Sequence, residues 1–125
     1  MNKKVLIVDD EAHIRFLIEQ ALEDLEDEGV ELLFTDNGVD ALKLMRTESP
    51  DLAFLDVMMP GMSGFEVCKT VKGTAKEEAP YIVILTAKGQ EGDWQEGEKV
   101  GADQYITKPF DPDMLLETAQ EILHL

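Results

Sequence analysis

Four apolar runs in this chain stop at polar residues that could do chemistry together: Val5–Val8 ends in Asp9-Asp10, Leu52–Leu55 in Asp56, Tyr81–Leu85 in Thr86, and Tyr105-Ile106 in Thr107-Lys108. Asp9, Asp10 and Asp56 bring three negative charges and Lys108 one positive, leaving −2 if all are ionised. Two carboxylates about 4 Å apart repel by roughly 4 kcal/mol at an effective dielectric near 20, so a clustered trio calls for protonation or a metal ion. Oxygen-only ligands suit a hard ion. Mg2+ is the preferred candidate, because it binds through one or two carboxylates, keeps waters and completes its shell with a phosphate oxygen. That leaves open positions for a phosphoryl group.

For these residues to meet, the runs must be strands whose carboxyl ends share one edge, where open α/β sheets bind their ligands. The pattern supports this: strand-length apolar runs alternate with stretches of helical periodicity, as in a parallel α/β sheet. Near-continuous hydrophobicity marks strands covered on both faces, whereas Val30-Glu31-Leu32-Leu33-Phe34 is amphipathic and suits an edge, giving five strands. Ile14, Leu17, Ile18, Ala21, Leu22 and Leu25 form the stripe of a first helix. Asn37 is placed to cap the second, which carries Leu42 and Met45. Pro60-Gly61 predicts a type II turn, and Ser63 with Glu66 a capping box that starts the third helix near Gly64. Asp111-Pro112 opens the fifth, with Leu115, Ala119, Ile122 and Leu123 as its buried stripe. The fourth helix is the weak one: Gly89, Gly92 and Gly97 lie in or beside it, at about 0.5 to 1 kcal/mol for each interior glycine.

Composition narrows the function further. The 125 residues suit one domain, 1–125, with one core. The N-terminal apolar run is too short for export or membrane insertion, and the single cysteine, Cys68, gives no disulfide or cysteine-based zinc site, so a cytoplasmic location is expected. Twenty-seven acidic against eleven basic residues give a formal charge of −16, which disfavours direct contact with nucleic acid or anionic membranes. Cys68 lies near Val67 and Val71 and reads as core. His13 and His124 read as isolated and exposed. Trp94 is a candidate partner contact or a packing residue.

Val8-Asp9-Asp10-Glu11, Leu55-Asp56-Val57-Met58-Met59-Pro60-Gly61-Met62-Ser63-Gly64, Thr86-Ala87 and Lys108-Pro109-Phe110, in that order, resemble the receiver domain of bacterial two-component response regulators over essentially the whole chain. The resemblance implies a flavodoxin-like (βα)5 fold, a doubly wound five-stranded parallel sheet of order 2-1-3-4-5. It also implies a phospho-acceptor rather than an enzyme with a separate substrate: a switch that catalyses its own phosphorylation and dephosphorylation. Asp56 would be the nucleophile towards a donor phosphohistidine. Mg2+ would be held by Asp10, Asp56 and the Met58 carbonyl, with Asp9 acting mainly through a metal-bound water. Lys108 would pair with a phosphoryl oxygen, Thr86 would hydrogen-bond the new group, and Tyr105 would turn inward behind it. The Lys108-Pro109 bond would be cis.

By the same resemblance the partners would be a histidine kinase or histidine phosphotransfer protein upstream, and a downstream protein or a missing output domain. The fourth helix, fifth strand and fifth helix would form the switching face, and a phosphorylation-dependent dimer is compatible with it. A complete fifth helix favours a single-domain regulator. Two other readings compete. A haloacid-dehalogenase-like phosphohydrolase would place its two aspartates two residues apart at the end of strand one, whereas Asp9 and Asp10 are adjacent. A pseudo-receiver would be an interaction module without phosphorylation, against which the intact acidic set, Thr86 and Lys108 argue.

Overall fold

The computed structural model describes residues 2–74, 79–87 and 99–125. The expected apolar runs are its strands: β1 Lys4–Val8, β2 Glu31–Thr35, β3 Leu52–Asp56, β4 Tyr81–Ala87 and β5 Gln104–Lys108. The helices with described bounds are α1 Ala12–Ala21, α2 Glu23–Asp27, α3 Gly38–Glu48, α4 Gly64–Thr74 and α5 Pro112–Leu123. Neighbouring strands are all parallel, in the order β2-β1-β3-β4-β5. This is the doubly wound α/β sheet that the resemblance implies. The amphipathic β2 lies at an edge and stays partly exposed, while every residue of β3 is buried.

Strand alternation divides the core in two. Val5, Ile7, Leu52 and Phe54 pack with Ile18, Leu22, Leu25, Leu115, Ala119 and Leu123, so α1, α2 and α5 cover one face. Leu6, Val8, Ala53 and Leu55 pack with Ala41, Met45, Val67, Cys68 and Val71, so α3 and α4 cover the other. A buried Leu or Ile side chain contributes about 1.5–3 kcal/mol, so the sheet holds its helices on both faces mainly through these apolar contacts. Cys68 is core, as expected, and burial pushes its thiol up to about 11.

Helix starts follow the sequence cues. The Asn37 side chain accepts from the Asp40 N–H at 2.8 Å, and Asp111 from the Asp113 N–H at 2.9 Å. Ser63 Oγ accepts from the Glu66 N–H at 3.2 Å while the Glu66 carboxylate accepts from the Ser63 N–H at 3.4 Å, a reciprocal capping box. Gly61 has φ +78°, the left-handed conformation a Pro-Gly type II turn requires.

Two expectations need correction. The first helix is interrupted at Leu22, whose φ −100° and ψ 7° separate α1 from α2, although Leu22 and Leu25 stay buried. Leu17 is 44% exposed: at 3.6 residues per turn it projects about 60° from Ile14, at the margin of the stripe. Gly89, Gly92 and Gly97, which mark the fourth helix as the weak one, and Trp94, the candidate partner contact or packing residue, lie outside the described residues.

Candidate functional site

In a 2-1-3-4-5 order the chain reverses direction across the sheet between β1 and β3, and the crevice at their carboxyl ends is where such sheets bind ligands. Asp9 and Asp10 directly follow β1, and Asp56 is the last residue of β3. One carboxylate oxygen from each of Asp9, Asp10 and Asp56 lies within 4.8 Å of the others. Asp9 and Asp56 are buried and Asp10 is exposed, so the group opens outward through Asp10.

Lys108, the last residue of β5, reaches across β4 to this group. Its Nζ lies 2.8 Å from Asp9 Oδ2 and 3.2 Å from Asp56 Oδ1. The Lys108-Pro109 peptide is cis. Asp9 is also held elsewhere: its N–H donates to the Thr35 carbonyl at 3.2 Å, and its Oδ1 accepts from the Glu11 N–H at 3.0 Å. The loop after β3 closes tightly over Asp56. A Cβ on Gly64 would overlap the Asp56 carbonyl oxygen, and the Gly64 N–H donates to the Val57 carbonyl at 3.1 Å.

The electrostatics carry the mark of excess negative charge. Burial first, and the charge of Asp9 second, push the Asp56 carboxyl up to about 6 against the opposing pull of Lys108. Burial works against the Lys108 ammonium, but its hydrogen bond to Asp9 and the charge of Asp56 outweigh it, and the pKa rises above the ordinary lysine value. Lys108 therefore stays charged. One ammonium does not balance three carboxylates, and this oxygen-only group fits a hard divalent cation.

Thr86 reaches the same edge by register, since Asp56 is level with Leu85, and it is 1% exposed. Tyr105 lies elsewhere: it is level with Ile84, half-buried, and packed against the core cluster of the α3/α4 face. The Met58 side chain points to solvent, and only its backbone carbonyl was a candidate ligand. Sequence reasoning missed Arg15, whose Nη1 donates to the Asp9 carbonyl oxygen at 2.6 Å. The one available signal was a cation in the first turn of α1, where the helix dipole disfavours it.

A family model described as a response regulator receiver domain matches residues 5–120. The chain is 46% identical over 112 residues to the alkaline phosphatase synthesis transcriptional regulatory protein PhoP of Bacillus subtilis, covering 90% of this chain and 45% of that protein. It is 42% identical over 123 residues to the phosphate regulon transcriptional regulatory protein PhoB of Pseudomonas aeruginosa, covering 98% of this chain and 52% of that protein. The chain thus spans about half the length of these curated relatives. Among solved structures, the chemotaxis response regulator CheY4 of Vibrio cholerae superposes with a TM-score of 0.83 at 35% identity, over 98% of this chain and 99% of that one. Among the described residues no helix is long and apolar enough to cross a membrane.

Proposed function

The chain belongs to the response regulator receiver family, and on that premise we propose that Asp56 accepts a phosphoryl group from a phosphohistidine donor at a Mg2+ site formed with Asp9 and Asp10. The observation that carries the proposal is the convergence of the three carboxylates within 4.8 Å, with Lys108 bridging Asp9 and Asp56.

Lys108 engages Asp56 Oδ1, leaving Oδ2 to attack phosphorus. As the new P–O bond forms, the P–N bond breaks and its electron pair returns to the donor imidazole. Negative charge on the phosphoryl oxygens is met by the Lys108 ammonium, which Asp9 and Asp56 hold beside the acceptor. Thr86, one residue beyond the level of Asp56 on the adjacent strand, supplies a hydroxyl donor to the product. Asp10, Asp56 and the Met58 carbonyl would hold Mg2+ directly and Asp9 through water, and the ion supplies charge neutralisation for the acceptor and the transferred group. The same residues acting on a water molecule would hydrolyse the aspartyl phosphate, so the switch would catalyse both its own charging and its discharge.

The added group brings charge and acceptor oxygens to the edge where β4 and β5 end, and such a local change has a distant effect only through an element with two arrangements. Within the described residues we assign that element to β5 and α5, with Tyr105 turning inward as Thr86 moves; the fourth helix expected to share this face lies outside them. A histidine kinase or phosphotransfer protein would be the donor, and a downstream protein or an attached output domain the reader, in the cytoplasm.

Intact mass after incubation with acetyl phosphate and Mg2+, beside an Asp56→Asn control, tests the proposal. One added phosphoryl group, lost without Mg2+ and in the control, is expected. An adduct that persists in the control would overturn it.

A further inference from the structure

We propose that Arg15 is a positioning residue for the cation site, holding the Asp9–Asp10 peptide so that the Asp10 carboxylate points into the cluster. The inference rests on the Mg2+ reading of the site given above.

The two strand-one acids are held very differently. Every polar atom of Asp9 has a partner: its N–H donates to Thr35, its Oδ1 accepts from Glu11, its Oδ2 from Lys108, and its carbonyl oxygen from Arg15. Asp10 is exposed, and among the described residues no hydrogen bond or ion pair holds its carboxylate. Its direction is therefore inherited from the backbone on either side. Before it lies the Asp9–Asp10 peptide, whose oxygen Arg15 grips at 2.6 Å. After it lies Glu11, whose N–H is bound to Asp9 and whose carbonyl accepts from the Ile14 and Arg15 N–H groups, each at 3.1 Å. Arg15 thus closes a ring from the first turn of α1 back to the end of β1, with Asp10 inside it.

Arg15 does not act as an ion-pair partner. In a chain with 27 acids and 11 basic residues, carboxylates are plentiful, yet among the described residues none lies within ion-pair distance of its guanidinium. Its charge also opposes both the helix dipole and the binding of a second cation nearby. Groups that orient ligands without touching the metal typically change its affinity by about 10- to 100-fold when removed.

Charge and positioning give opposite signs, which makes the inference testable. If Arg15 acted by charge alone, its removal would tighten Mg2+ binding. If it acts by aiming Asp10, removal weakens binding. The unfolding midpoint, followed as magnesium chloride is raised, yields both the affinity and the Mg2+-free stability of each protein. Arg15→Ala is expected to lose roughly tenfold in Mg2+ affinity. Arg15→Lys, which keeps the charge and one donor but not the planar fork, is expected to lose about threefold. Arg15→Ala binding Mg2+ as tightly as the wild type, or more tightly, would overturn the proposal. Should that variant not fold, Arg15→Lys decides alone, because its charge is unchanged, and undiminished affinity would overturn it. A wild-type midpoint that ignores Mg2+ would instead remove the metal reading itself, and this inference with it.

Discussion

Replacing the acceptor should make the metal-free protein more stable. In the folded chain the Asp56 carboxyl is pushed up to about 6 by burial and by Asp9, whereas an unfolded aspartate titrates near the ordinary value of about 3.9. Two units correspond to roughly 3 kcal/mol at neutral pH. Screening at the open edge of the sheet reduces this, and about 1–2 kcal/mol is expected. The sign follows from which state binds the proton more tightly. Because the folded state does, its advantage is complete below about pH 4, falls as pH rises towards 6, and is lost above it. Asp56→Asn removes this liability. In chelator, urea unfolding should find the variant and wild type equally stable near pH 4, a gap opening in favour of the variant by pH 6, and a plateau at pH 7 and above. Saturating Mg2+ should shrink or reverse the gap, since only the wild type gains the full binding energy, about 2.7 kcal/mol at a hundredfold excess over Kd. A gap independent of pH, or a variant less stable at pH 7 in chelator, would refute the electrostatic reasoning.

Other consequences concern single side chains. Lys108→Met should tighten Mg2+ binding, measured by calorimetry, while slowing phosphoryl transfer at least tenfold, because it removes a positive charge from Asp9 and Asp56 and from the transition state. Gly64→Ala should destabilise the fold by about 2 kcal/mol or more on denaturant unfolding, since its Cβ would overlap backbone rather than a movable side chain. Asn37→Ala should lower stability by about 1 kcal/mol through loss of the α3 cap. Cys68, buried and with its thiol pushed up to about 11, should resist alkylation at pH 8 until the chain is unfolded.

Much of this arrangement is legible in the sequence because the three central strands are largely buried on both faces. Val5–Val8 and Leu52–Leu55 admit polar residues only where they leave the core, so Asp9, Asp10, Asp56 and Lys108 mark both strand ends and site. Asn37, Ser63-Glu66 and Asp111-Pro112 announce helix starts because side chains satisfy backbone groups within three residues. What was not legible depends on contacts distant in sequence or on small angles. The break at Leu22 keeps Leu22 and Leu25 buried and leaves no mark in the apolar spacing. Leu17 fits the periodicity but sits at its margin. Arg15 is a donor to a backbone carbonyl, and a carbonyl has no residue type to read. The strand order came from resemblance, since alternating elements alone leave several parallel orders open.

At the centre of the proposed function stands the carboxylate at the end of β3 as the phosphoryl acceptor. The most direct measurement is tandem mass spectrometry of peptides after brief transfer from a phosphorylated histidine phosphotransfer domain in Mg2+, quenched before hydrolysis. A single modified peptide is expected, with the phosphoryl group on Asp56. Modification at His13, His124 or another aspartate, with Asp56 unmodified, would contradict it.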